Sequence, residues 1–203
     1  MTYDELKAEI AGYLHRSDLT TEIPRFITKA EQRIGCDARL LENRVQNTVT
    51  PSSGVAALPT RFAEMRRIST GSGASLVILE AVPARAGNNY GTSGKSVAYY
   101  LSEQIYLLPA NDTDIDIDYY EYPEPLAGSA GSATRPIMTR YESLYINAAM
   151  MEGSLFMQDF EAYGIWAQRY TAEVNQANKA AAEAYTPKTT TAYNFRAAAP
   201  RGA

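Results

Sequence analysis

The sequence predicts an α+β protein: a helical bundle from N- and C-terminal helices, an inserted antiparallel β lobe, and an extended C-terminal tail. Three observations predict it. Apolar residues recur at helical spacing over 1–44 and 136–186, and alternate with polar ones over 45–125. The closing PKTTTAYNFRAAAPRGA, residues 187–203, is too polar and small to fold alone. Between lobe and second helical region, the Gly/Ala/Ser-rich stretch 126–135 reads as a linker.

The first helix opens on Thr2 and Glu5, a pair spaced so that each side chain satisfies a backbone donor of the other. Tyr3, Leu6, Ile10 and Leu14 then share one face, and the chain breaks near Ser17-Asp18. A second helix starts around Thr21 with Pro24 in its first turn, where a missing N–H costs nothing. Its stripe of Phe26, Ile27, Ala30, Ile34 and Leu41 outweighs Gly35, which costs about 1 kcal/mol relative to alanine. Cys36 reads as a small buried helix residue.

From Val45 the period falls to two. RVQNTVT and GVAALP, separated by Pro51-Ser52-Ser53, read as a hairpin. EMRRIST, SLVILEAV, SVAYYLSEQIYLLPA and TDIDIDYYEYP supply further strands. Helix resumes at a second capping pattern, Thr139 with Glu142, followed by Tyr141, Leu144, Tyr145, Ala148, Met151 and Leu155. A break near Asp159 leads to a long helix carrying Trp166, Tyr170, Val174 and Ala177, expected to pack antiparallel on its predecessor and to end at Pro187.

Composition excludes several kinds of chemistry. A net charge of -4 offers no overall basic footprint for nucleic acid. One cysteine permits neither an internal disulfide nor a thiolate cluster, and one histidine, His15, permits no His-rich metal site. His15 falls at a helix end, where the helix dipole accounts for it. No apolar run approaches the ~20 residues of a membrane span. Acidic Asp4, Glu5 and Glu9 stand where a signal peptide needs basic and apolar residues, so the chain reads as intracellular.

Two stretches imitate functional motifs. GTSGKS, residues 91–96, resembles a phosphate-binding loop but has two spacers in place of four, and a strand is expected after it where a helix is required. Asp112, Asp114, Asp116 and Asp118 invite a calcium reading, yet from Asp112 the sixth and twelfth positions are Ile117 and Pro123, not Gly and Glu. Their alternation with Ile115, Ile117 and Tyr119 predicts a strand with one apolar and one acidic face. No catalytic, cofactor-binding or metal residues emerge. Fifteen tyrosines fit either core packing or subunit interfaces, and with an extended tail and absent chemistry they lean towards an assembly component.

The ordered combination of TYDELKAEIAGYLHRSDL, EIPRFITKAEQRI, GVAALPTRFAEMRRIS, IDIDYYEYPEPL and YESLYINAAMMEGSLFMQDFEAYGIWAQRYTAEVNQAN resembles the head-to-tail adaptors of short-tailed bacteriophages. That resemblance implies a non-enzymatic ring, usually dodecameric, below the portal and extending the DNA channel towards the tail. Its implied neighbours are the portal protein, a tail or nozzle protein and further copies of itself. Genomic DNA would pass without sequence-specific contact, and no membrane or cofactor is implied. The implied location is the virion's head-tail interface, after assembly in the host cytoplasm. In this setting Tyr193, Phe195 and Arg196 become candidate portal or neighbour contacts, and Asp112, Asp114, Asp116 and Asp118 a candidate channel-lining strip. The alternatives are another neck or tail completion protein, or a nucleotide-binding enzyme using GTSGKS.

Overall fold

The computed structural model describes residues 1–85, 90 and 94–185. Helix α1 (Tyr3–Leu14) begins at the expected reciprocal cap, with Thr2 N–H donating to Glu5 Oε2 at 2.7 Å and Glu5 N–H to Thr2 Oγ1 at 3.3 Å. It buries Tyr3, Leu6, Ile10 and Leu14 and ends where His15 turns left-handed at φ 48°. Helix α2 (Ile23–Asp37) carries Pro24 in its first turn and buries Phe26, Ile27, Ala30 and Ile34. The stripe expected to reach Leu41 stops at Asp37 because a side chain from the far end of the protein replaces the helical bonds. Asn178 Nδ2 donates to the Asp37 carbonyl at 3.1 Å, and its Oδ1 accepts from Arg39 N–H at 2.7 Å.

Eight strands follow among the described residues: β1 (Arg44–Val49), β2 (Val55–Ala57), β3 (Phe62–Thr70), β4 (Val77–Ile78), β5 (Glu80–Ala81), β6 (Ala98–Leu101), β7 (Gln104–Leu108) and β8 (Ile115–Glu121). They form two four-stranded sheets, ordered β1-β8-β3-β4 and β2-β7-β6-β5. The sheets share a core of Ile68, Leu79, Ile105, Leu107, Ile115, Ile117 and Tyr119. The expected β1–β2 hairpin does not form. Left-handed Ser53 (φ 52°) and Gly54 (φ 75°) redirect the chain, so β1 pairs with β8 and β2 with β7, one in each sheet. SLVILEAV likewise divides, with β4 on β3 and β5 on β6, while Leu79 between them enters the core. The β5–β6 pair is parallel, which makes the second sheet mixed where an antiparallel lobe was expected.

The chain returns through residues 126–135, which lie against the start of α1. Tyr3 N–H donates to the Ala133 carbonyl at 2.8 Å and Asp4 N–H to that of Gly131 at 2.9 Å, satisfying donors that a helix start leaves unpaired. The expected Thr139 cap is displaced. Pro136 opens a short helix, α3 (Pro136–Arg140), which takes in Thr139, and α4 (Glu142–Phe156) starts separately. Helix α4 is buried along most of its length, from Leu144 to Ser154, between α1, α2 and α5. Helix α5 (Phe160–Tyr185) is capped by Asp159, whose Oδ1 accepts from Ala162 N–H at 3.0 Å, and buries Tyr170, Val174 and Ala177 against the same core. Tyr141 and Ser143 of the α4 start face Glu173 and Ala177 late in α5, so the pair is antiparallel as expected.

Gly35 has a role that helix propensity does not reveal. A methyl there would overlap the Tyr122 ring and meet Pro123 Cδ at 3.1 Å. Gly35→Ala is therefore expected to destabilise the fold by about 1–3 kcal/mol, although alanine is the better helix former. Chemical denaturation measures it, and a gain in stability would refute the close-approach role.

Candidate functional site

Strand β8 lies between β1 and β3, with Ile115, Ile117 and Tyr119 in the core. Alternation places Asp114, Asp116 and Asp118 on the opposite face. Each aspartate is held by a donor from another segment. Asp112 Oδ1 accepts from Gly54 N–H at 3.0 Å, Asp114 Oδ1 from the Thr50 hydroxyl at 2.6 Å, and Asp116 Oδ1 from the Thr48 hydroxyl at 2.6 Å. These three remain exposed, whereas Asp118 is buried at 5% exposure. Arg44 forks onto Asp118, Nε to Oδ1 at 2.7 Å and Nη2 to Oδ2 at 2.5 Å.

Two more guanidinium groups reach this face. A bulge between Met65 and Arg67 breaks the alternation, so that Arg67 stands opposite Asp118 while Arg66 Nη1 lies 3.7 Å from Asp118 Oδ2. Burial opposes ionisation of Asp118, but the Arg44 fork and the Arg66 and Arg67 charges outweigh it and hold the carboxyl below its ordinary value. The segment 102–125 has no Lys or Arg of its own, yet three guanidinium groups from β1 and β3 act on Asp118. A depression of about 290 Å³ lies beside it between Gln46, Arg67, Asp116 and Asp118.

The remaining candidates separate. Gly91–Ser93 lie outside the described residues, and Gly94, Lys95 and Ser96 lead into strand β6, whereas a phosphate-binding loop leads into a helix. The Ser96 hydroxyl donates to the Pro109 carbonyl at 2.7 Å. His15 is exposed. Cys36, expected to be buried, is exposed as well, with its Sγ 3.7 Å from the Tyr122 hydroxyl. Tyr193, Phe195 and Arg196 fall outside the described residues. Among the described residues no group of three or more His, Cys, Asp or Glu side chains is placed to hold a metal ion.

A family model described as SU10 adaptor protein matches residues 1–192. The chain belongs to the SU10 adaptor protein family. This adaptor is thus a structural component of the bacteriophage virion, of the head-to-tail kind that the ordered motifs pointed to. No curated protein matches the chain. No helix of the adaptor's described residues is long and apolar enough to cross a membrane.

The junction between the adaptor's helices and sheets is also built from residues that carried no sequence signal. Arg39 Nη1 donates to the Cys36 carbonyl at 2.8 Å, its Nε to Glu64 at 2.5 Å, and its guanidinium lies 5.9 Å from the Tyr120 ring centre. One side chain thereby ties the end of α2 to β3 and β8. Among the tyrosines, Tyr145 and Tyr170 are core residues, while Tyr13 and Tyr122 are 48% and 37% exposed.

Proposed function

We propose that this adaptor assembles as a ring, of about twelve copies by its family resemblance, below the portal and extends the DNA channel towards a tail or nozzle protein. The family match over residues 1–192 carries this reading. Residues 1–44 and 136–186 form the ring body in this arrangement, 45–125 project as the β lobe, 126–135 link them, and the 187–203 segment contacts the portal. Asp112, Asp114 and Asp116 line the channel, where exposed anions neutralise no phosphate and DNA slides past with little adhesion. Asp118, buried in its Arg44 fork, continues the same strip along β8. Virion location and assembly in the host cytoplasm follow from the same role.

Negative-stain imaging of the adaptor alone and with portal tests the ring, and absence of a ring on the portal face would refute it. Aspartates turned away from the lumen would remove the channel assignment. Tyr193, Phe195 and Arg196 supply aromatic and guanidinium anchors in an otherwise small and polar segment. Deleting residues 187–203 is expected to abolish portal co-sedimentation while leaving the unfolding transition in place. Unchanged co-sedimentation would overturn the docking role.

A further inference from the structure

Where α2 ends and the chain leaves β8, a groove of about 530 Å³ opens on the surface. Its walls are Gln32 and Cys36 from α2, Thr60 and Arg61 ahead of β3, and Tyr122 and Pro123 beyond β8. The close packing of Tyr122 on Gly35 fixes one wall, and the Tyr122 ring remains 37% exposed. We propose that in the unassembled adaptor this groove holds the chain's own C-terminal segment, with Tyr193 and Phe195 against Tyr122 and Pro123.

Reach supports the assignment. Asn178 of α5 is hydrogen-bonded to Asp37 and Arg39, beside Cys36, and the seven residues from there to the helix end at Tyr185 advance about 10 Å. Beyond Tyr185 an extended chain carries Tyr193 at most roughly 26 Å and Phe195 roughly 33 Å. Of the other exposed aromatics, Phe156 and Phe160 at the α4–α5 turn lie at the opposite end of α5, about 38 Å away along its axis, and Tyr13 packs edge-on against Trp166 towards that same end.

Charge and chemistry support it too. Residues 186–203 carry Lys188, Arg196 and Arg201 and no acid, a charge of +3; the whole chain is at -4, which leaves -7 on residues 1–185. That difference draws the segment onto the body at moderate ionic strength. Tyr193 and Phe195 are its only aromatic residues, and a wall of Tyr122 and Pro123 offers them an apolar surface with ring edges. The groove therefore stores the segment until the portal takes it up.

Cys36 makes this directly testable, because it is the chain's only cysteine and lines the groove. Its alkylation by iodoacetamide is expected to be about tenfold faster after deletion of 187–203, and also in full-length Tyr193→Ala/Phe195→Ala, a ratio equivalent to ~1.4 kcal/mol of cover. In a glutathione buffer Phe195→Cys is expected to form a disulfide with Cys36 inside one chain. Equal alkylation rates in all three proteins, or disulfides only between chains, would overturn the proposal. Portal co-sedimentation of the same variants keeps the two readings apart: protection of Cys36 without portal binding refutes docking alone, and portal binding without protection refutes only the groove.

Discussion

Arg44→Ala is expected to lower the unfolding free energy by about 3 kcal/mol, because it strands a buried carboxylate. Asp118 is 5% exposed, and Arg44 satisfies both of its oxygens. Arg66 and Arg67 remain to compensate part of the charge, which holds the loss at the lower end of what breaking a buried pair costs. Arg44→Met/Asp118→Leu should recover most of it, since the desolvation of both ions disappears with their attraction. The acid limb supplies a second check. A carboxyl held below its ordinary 3.8 contributes stability that is fully present above that value and lost as pH falls through the lower folded value. Arg44→Ala should flatten that limb. Urea denaturation between pH 2 and 7 measures both effects, and a loss under about 1 kcal/mol would show the pair to be dispensable.

Those three arginines also mark where sequence reading stopped. Alternation places Ile115, Ile117 and Tyr119 on one face of β8 and the aspartates on the other, because a strand's side-chain period is local. Partners across strands are not local. Period two sends Arg66 and Arg67 to opposite faces, and only the bulge opposite Asp118 lets both charges act on one carboxylate. The same limit explains the missing β1–β2 hairpin. Pro51-Ser52-Ser53-Gly54 is legible as a turn, but whether a turn returns the chain to its own sheet or delivers it to another depends on what β7 and β8 offer.

The helices were more legible for the complementary reason. The Thr2–Glu5 cap and the Tyr3, Leu6, Ile10, Leu14 stripe need only neighbours within the same helix, and both formed. What failed there was long-range: Asn178 stops α2, and the Tyr122-Pro123 crossing makes Gly35 necessary and leaves Cys36 exposed. The family was readable because it rests on the order of whole segments, which local misreadings of pairing leave intact.

Glu31→Gln is expected to stabilise the adaptor at pH 8 by up to about 3 kcal/mol, the cost of ionising a buried carboxyl with few partners. Glu31 is 4% exposed in α2, where its Oε1 accepts a single bond from Leu126 N–H at 3.0 Å. Burial pushes its carboxyl from 4.5 up to about 7, against the opposing pull of that N–H and of the Arg135 charge. Its neighbour on α4, Tyr145, is raised as well, by burial first and by Glu31's charge second. Folding thus takes up a proton between pH 4.5 and about 7, so Glu31's contribution is most favourable below 4.5 and is lost as pH rises through 7. Glutamine keeps an oxygen for Leu126 N–H without an ionisable group. The variant and parent should therefore be equally stable at pH 4, diverge between pH 4.5 and about 7, and differ by a constant amount from there to pH 8. Parallel stability curves across that range would mean that Glu31 is ionised without penalty in the folded chain. The position matters for assembly because Glu31 borders the groove assigned to the C-terminal segment and holds the chain where it returns from β8. Above neutral pH its charge loosens that junction without touching the Arg44–Asp118 pair, so the two variants separate the helix–lobe joint from the sheet itself.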